Sequence, residues 1–456
     1  MVDSVKPDDV VHSMPDLLTD TPKEITKLCM FMEPKTPAET FERTAKYARD
    51  PKAYLKTTLG EQVFAERETQ LSTPDNVDND MYGKGEQKSH FEQHIARLLG
   101  KQHGLFFITG VQAQLTAVKI HCERAKNNRV CWHVTSHLET AEERSFEQLY
   151  GLERRLVGSD PEALPTVAEI KEVLVLPESE RPAILLVEVP NRTLGCETYS
   201  FEDLAKISAA CKDAGVVFHM DGARIWEIEP HYQETAGKSF ADLSGLFDSV
   251  YVSFYKSLRG ISGAILAHDD ESFMSDARMW QRRAGGNPFT MMYETIDCER
   301  GYNENIGTFA QKRDKMIQVV DGIKAATEAH KSGAGKQIVQ FLPDRATCCQ
   351  IRTAFNGFTA AELEAARDKV QTESGVRVFE RIWPKETLDQ KMEEERRVGK
   401  SDAVKSDGAG EDAAPVKHEE SHLIEWMIVG ATLGLDTQVF VDAYVALCEA
   451  LVKSSA

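Results

Sequence analysis

Short, uninterrupted apolar runs alternating with helical stretches constrain this chain more than any other feature. Leu105-Phe106-Phe107-Ile108, Arg129 to Val134, Ile184 to Val189 and Val216 to Met220 each read as a strand. Lys88 to Leu99, a stretch from Val111 onward and Phe201 to Ala214 read as the intervening helices. Strands without polar alternation are buried on both faces, and in a strand–helix order that means parallel strands covered by helices on each side. Ser249 to Tyr255 and Gly263 to Ala267 add a last pair of short strands. The expected fold class is α/β, with a large, mostly parallel sheet domain over residues 60–310.

Residues 1–59 read as an N-terminal extension with one amphipathic helix, Pro37 to Asp50. Beyond residue 310 the order changes to helix (Lys312 to His330), strand (Gln337 to Leu342), strand (Ala346 to Thr353), helix (Ala360 to Glu373) and strand (Val376 to Trp383). This mixed order predicts a small C-terminal α+β domain over residues 311–456, finished by a strand from His422 to Ala431 and a helix from Thr437 to Val452. Residues 385–421 carry no aromatic residue and include Lys405-Ser406-Asp407-Gly408-Ala409-Gly410-Glu411-Asp412. Such a segment has too little apolar surface to offset ordering entropy, so a disordered surface insertion is expected there.

Acidic residues outnumber basic ones 73 to 54, a net charge of −19, so neither nucleic acid nor an anionic membrane is an expected partner. Nine cysteines with no CxxC pair argue against a disulfide framework or a thiolate zinc site. No metal is expected, and a reducing, cytoplasmic setting fits best. The opening Met1-Val2-Asp3-Ser4 lacks an apolar leader, and no run of about 18 apolar residues offers a bilayer span.

The strongest chemical signal is a buried strand that ends in charge: Val216-Val217-Phe218-His219-Met220-Asp221-Gly222-Ala223-Arg224. In an open parallel sheet, ligands sit beyond the carboxyl ends of the strands, and an Asp there faces the crevice. Thirty-five residues on, the strand Asp248 to Tyr255 delivers Lys256 to the same edge. A lysine and a carboxylate so placed suit a pyridine ring: the amine forms a Schiff base with its aldehyde, and the carboxylate keeps the ring nitrogen protonated. That is the chemistry of pyridoxal 5'-phosphate (PLP). A solvated ion pair at the sheet rim has the same spacing, and the surrounding words decide between the two. Thr109-Gly110-Val111-Gln112 closes one strand and opens a helix, where free N–H groups and the helix dipole favour a phosphate, although a plain turn has the same look.

His219-Met220-Asp221-Gly222-Ala223-Arg224, the Asp248-to-Lys256 strand and Gln281-Arg282-Arg283-Ala284-Gly285-Gly286-Asn287 resemble the threonine aldolase and aromatic amino acid β-eliminating lyase family. Met81-Tyr82-Gly83, Phe106 to Gln112, His137 and Asn191-Arg192 extend the resemblance over roughly residues 80–310. It implies PLP-dependent fold type I, the aspartate aminotransferase-like architecture, with Lys256 holding the cofactor and Asp221 at its ring nitrogen. It also places His137 flat on the ring as a potential base, and the phosphate at Thr109, Gly110 and Val111. The family usually has Ser-Gly-Thr at that point, which leaves Thr109 to supply the hydroxyl and Val111 only its backbone. Arg224 falls to the cofactor and substrate carboxylate, with Arg192 and Asn191 assisting substrate binding. Arg283 reaches the phosphate of a neighbouring subunit, so a homodimer or homotetramer is implied. His133 and His219 read as structural.

Two departures stand out. Family members commonly bring a carboxylate-binding arginine from the last strand of the small domain, but that strand here reads Glu425-Trp426-Met427-Ile428-Val429-Gly430. The Arg-Ser-Asp-Thr start of many threonine aldolases is also missing near Leu71-Ser72-Thr73-Pro74-Asp75. A short-chain dehydrogenase fails on spacing, since no Gly-x-Gly-x-x-Gly follows Thr109 and Tyr255 and Lys256 are adjacent on a strand. Retro-aldol cleavage of a threonine-like β-hydroxy-α-amino acid to glycine and an aldehyde is the expected reaction. Amino acid racemisation or β-elimination is the alternative, and a non-catalytic PLP-binding protein the further one.

Overall fold

The structure, a computed structural model, describes residues 25–32, 35–385 and 421–454. The chain enters it through a short strand, β1 (Thr26–Cys29), and three helices, Pro37–Arg49, Pro51–Leu59 and Glu61–Arg67. The sequence predicts a single helix here. The first starts on a Thr36–Glu39 capping box and stops at Asp50, whose backbone is extended. Asp50 then accepts from the Ala53 N–H at 2.9 Å, and Pro51, which has no N–H to satisfy, begins a second helix.

The main sheet has seven strands: β2 (His103–Phe107), β3 (Arg129–His133), β4 (Glu153–Val157), β5 (Ile184–Glu188), β6 (Val217–Gly222), β7 (Ser249–Ser253) and β8 (Ala264–His268). Their order is β2-β8-β7-β6-β5-β3-β4, parallel from β7 through to β4. The strand β8 runs antiparallel between β2 and β7, so the expected parallel pattern stops at that edge. Periodicity could not show this, because buried strands read alike in either direction. At the opposite edge β4 (Glu-Arg-Arg-Leu-Val) is half exposed, and its charged residues hid it from the apolar pattern. One face of the sheet is covered by side chains such as Phe218, Trp226, Val250 and Phe254, all at most 1% exposed. Each such side chain stabilises the fold by about 1.5–3 kcal/mol.

A second sheet lies in the C-terminal part, built from β9 (Val339–Leu342), β10 (Gln350–Asn356), β12 (Trp383–Pro384) and β13 (Ser421–Met427), in the order β12-β13-β10-β9. The strand predicted from Val376 to Trp383 divides: β11 (Val376–Phe379) leaves to pair in parallel with β1, and only Trp383–Pro384 join the second sheet. Helices Phe309–Thr327, Ala360–Ser374 and Thr437–Ser454 cover it, with Ile323, Ile351, Phe355, Trp426 and Tyr444 in a separate core. Apart from its end residues Lys385 and Ser421, the expected insertion at 385–421 lies outside the described residues. All nine cysteines are buried free thiols. No helix among the described residues is long and apolar enough to cross a membrane.

Candidate active site

The register of β5, β6 and β7 brings three side chains into one row: Glu188, at the end of β5, stands opposite Asp221, near the end of β6, and Asp221 opposite Tyr251 in the middle of β7. All three strands are buried and mostly apolar, with His219 of β6 and Ser249 of β7 bonded to each other at 2.7 Å, so burial fixes the register and the register brings the polar residues together. The strand ends are tied by Ser253, whose hydroxyl donates to the Ala223 carbonyl at 2.8 Å. Lys256 follows β7 by three residues and enters the same cleft. Val111, Gln114, His137, Glu188, Arg192, Asp221, Arg224, Tyr251, Tyr255 and Lys256 are among its lining residues.

Lys256 is partly exposed at the cleft wall, yet burial of its amine, reinforced by the Arg224 guanidinium, lowers its pKa to about 8. Asp221 is 3% exposed and accepts from the Ala223 N–H at 3.0 Å. Glu188 accepts from the backbone N–H of His137 at 2.7 Å and of Arg192 at 3.3 Å. Burial, with the Asp221 carboxylate alongside, pushes its pKa up. The His137 ring places Nδ1 3.0 Å from Glu142. A carboxylate there keeps the proton on Nδ1 and, in the neutral ring, the lone pair on Nε2.

Opposite the large sheet, Arg224 donates from Nε to the Gln350 side-chain oxygen at 2.9 Å, and Gln350 in turn donates to Glu425. Glu425, fully buried on β13, also receives Arg192 through Nε at 2.8 Å and Nη2 at 2.9 Å, and Arg352 at 3.3 Å. Burial pushes the Glu425 pKa upward, but Arg192 and Arg352 outweigh it and hold the carboxyl below its ordinary value.

Of the residues singled out in the sequence, Lys256, Asp221, His137, Val111, Arg224 and Arg192 meet in this cleft. Thr109 caps the helix Gly110–Ala125, accepting from the Gln112 N–H at 3.3 Å, and Gly110 opens it. A Cβ on Gly110 would lie 2.0 Å from the Tyr251 hydroxyl, so only glycine admits this approach. Asn191 is not among the lining residues of the cleft: its amide donates at 2.8 Å to Thr135, just beyond β3, and its oxygen accepts from the Leu194 N–H of its own loop. Arg283 is exposed over the Trp280 ring at 5.1 Å, outside the cleft of its own chain. His219 is fully buried and bonded to Ser249, with burial lowering its pKa to about 3, a structural histidine. Glu188, Tyr251, Gln350 and Glu425 belong to the site without having been assigned a part in it. Glu188 carried a signal, a lone carboxylate at the end of an apolar strand, as Asp221 did.

A nucleophilic lysine, a carboxylate on the adjacent strand and a helix start facing one cleft are the parts of a PLP-dependent enzyme of fold type I. Residues 67–368 match the beta-eliminating lyase family, and the chain belongs to that family. Its members use PLP. The chain is 26% identical over 214 residues to a low specificity L-threonine aldolase of Saccharomyces cerevisiae, covering 46% of this chain and 53% of that protein. It is 25% identical over 288 residues to the alanine racemase TOXG of Cochliobolus carbonum, covering 62% and 67%. The chain spans about half the length of the first curated relatives it matches. Among solved structures, a Listeria monocytogenes protein assigned as an L-allo-threonine aldolase superposes with a TM-score of 0.71 at 27% identity, over 94% of this chain and 97% of that one. A PLP-bound serine palmitoyltransferase of S. paucimobilis, at 13% identity and a TM-score of 0.57 over 94% and 88%, shares the fold alone.

The residues present fit PLP. The cleft joins the lysine, the buried Asp221 and the helix start, and the buried Gln114 oxygen on its wall has no partner in the protein. A polar atom left without a partner in a cleft calls for a ligand or water.

Proposed function

We propose that the chain is a PLP-dependent carbon–carbon lyase that cleaves a β-hydroxy-α-amino acid to glycine and an aldehyde. The observation that carries this reading is His137 in the same cleft as Lys256, braced at Nδ1 by Glu142 so that Nε2 can accept a proton. Lys256 would supply the amine that holds the cofactor aldehyde, and Asp221 the carboxylate that keeps the ring nitrogen protonated. Bound there, PLP supplies the electron sink for the bond broken at the substrate Cα. Arg224 and Arg192 receive the substrate carboxylate, and Thr109, Gly110 and Val111 the cofactor phosphate. His137 Nε2 takes the β-hydroxyl proton, directly or through water, as the Cα–Cβ bond opens. Assembly as a homodimer or homotetramer is part of the same proposal, with Arg283 reaching a neighbour's phosphate. The exposed Met81, Tyr82, Phe289 and Tyr293 offer an apolar face for it.

A panel of β-hydroxy amino acids assayed for glycine tests the reaction, beside alanine and serine assayed for solvent deuterium at Cα. Glycine plus an aldehyde is expected. The alanine racemase relative favours one second reading, Cα proton exchange without cleavage. Deuterium uptake with no glycine released would replace the lyase with a racemase.

A further inference from the structure

Glu425 is a carboxylate with no exposed side-chain surface, 233 residues from the loop arginine it holds. Arg192 meets it through two parallel bonds, and Arg352 and Gln350 complete its shell. A fork of that kind fixes both the position and the plane of a guanidinium, which a single bond does not. It engages Nε and Nη2 of Arg192, while Nη1 has no hydrogen-bond partner among the described residues; the guanidinium lies over the Phe31 ring at 5.8 Å, and the side chain is 36% exposed and lines the cleft with Lys256. Through Gln350 the same carboxylate is linked to Arg224, which lines the cleft from the end of β6. One acidic residue of the second sheet thus orients two arginines of the first.

We propose that Glu425 is a positioning residue for amino-acid recognition: it acts through Arg192, holding that guanidinium so that its free edge receives the substrate carboxylate. A strand without the arginine that family members commonly bring there therefore keeps a part in substrate binding, by bracing a cation on the facing loop. The proposal rests on the cleft being an amino-acid site and not on which bond is broken there.

Glycine binding to the holoenzyme, read as the change in cofactor absorbance, tests it in wild type, R192Q, E425Q and the R192Q/E425Q double variant. The glycine dissociation constant should rise about tenfold or more in R192Q and nearly as much in E425Q, the loss of one charge-assisted contact. The double variant should lose clearly less than the sum of the two single losses, because without Arg192 the carboxylate keeps only its indirect link through Gln350 to Arg224. For any amino acid turned over, KM should rise in E425Q with kcat nearly unchanged. If E425Q does not fold, E425D keeps the charge but shortens the reach, and should show the same weakening. Additive losses, wild-type glycine affinity in E425Q or E425D, or a wild-type holoenzyme whose absorbance ignores glycine, each overturns the proposal. Glycine binding with the predicted non-additivity, but no glycine released from β-hydroxy amino acids, removes the lyase reading and leaves this one standing.

Discussion

Glu188 and Asp221 stand opposite each other at the ends of adjacent parallel strands, two carboxylates that are 8% and 3% exposed. Neighbouring buried carboxylates do not share charge comfortably, and here Glu188 takes the upward shift while keeping two backbone donors.

The pair makes stability depend on pH. The folded-state pKa of Glu188 lies above its unfolded value, so folding favours its neutral form. That contribution is complete below the unfolded value and is lost as pH rises through the folded one. Glu188→Gln removes the ionisation, so the variant should gain on wild type between pH 5 and pH 8, by about 1–3 °C in melting temperature at the upper end. Melting curves of the cofactor-free proteins across that range check it. A constant difference at all pH values would mean Glu188 is not the titrating group.

Asp221 and Lys256 were legible in the sequence because each stands just beyond an apolar run that has one buried outcome. The α/β class was legible for the same reason. Glu425 was visible only as a missing arginine. Its partner Arg352 lies across from it because β10 and β13 pair with Arg352 opposite Glu425, a register set between segments 73 residues apart. No local pattern encodes that pairing. Asn191 is taken up by structural bonds that no local pattern shows: its amide ties its loop to Thr135, 56 residues away beyond β3, and its oxygen accepts from the Leu194 N–H three residues on.

The lowered pKa of Lys256 predicts how fast cofactor-free protein takes up PLP. Only the neutral amine attacks an aldehyde, so the uptake rate should rise with pH and level off above about 8, well before an ordinary lysine would. Arg224 is the main charge lowering that value after burial itself. Arg224→Gln should therefore move the midpoint to higher pH. Stopped-flow absorbance after mixing with PLP measures both midpoints, and coincident profiles would separate Arg224 from the amine.

At the helix start, Gly110→Ala should weaken cofactor binding while leaving the fold intact. The added methyl meets the Tyr251 ring and hydroxyl, and the first turn must move away from where a phosphate is read. Loss of a charge-assisted bond or two predicts about a ten- to hundredfold higher PLP dissociation constant. Equilibrium dialysis gives the constant, and an unchanged value would place the phosphate elsewhere.

His137 separates the reaction from the binding. Its ring lines the cleft and is anchored by Glu142, so replacing it by Asn removes Nε2 while keeping a polar atom at the position of Nδ1. Positioned proton transfer contributes about a hundredfold or more, so kcat for glycine release should fall by at least that factor in His137→Asn. Cofactor affinity should change far less, because the phosphate contacts and Lys256 are untouched. Glu142→Gln should give a smaller loss, since the ring remains but its tautomer is no longer fixed by a carboxylate. Measuring glycine release and PLP affinity side by side in the two variants distinguishes the roles: parallel losses in both quantities would make His137 a cofactor-stacking residue and not the base.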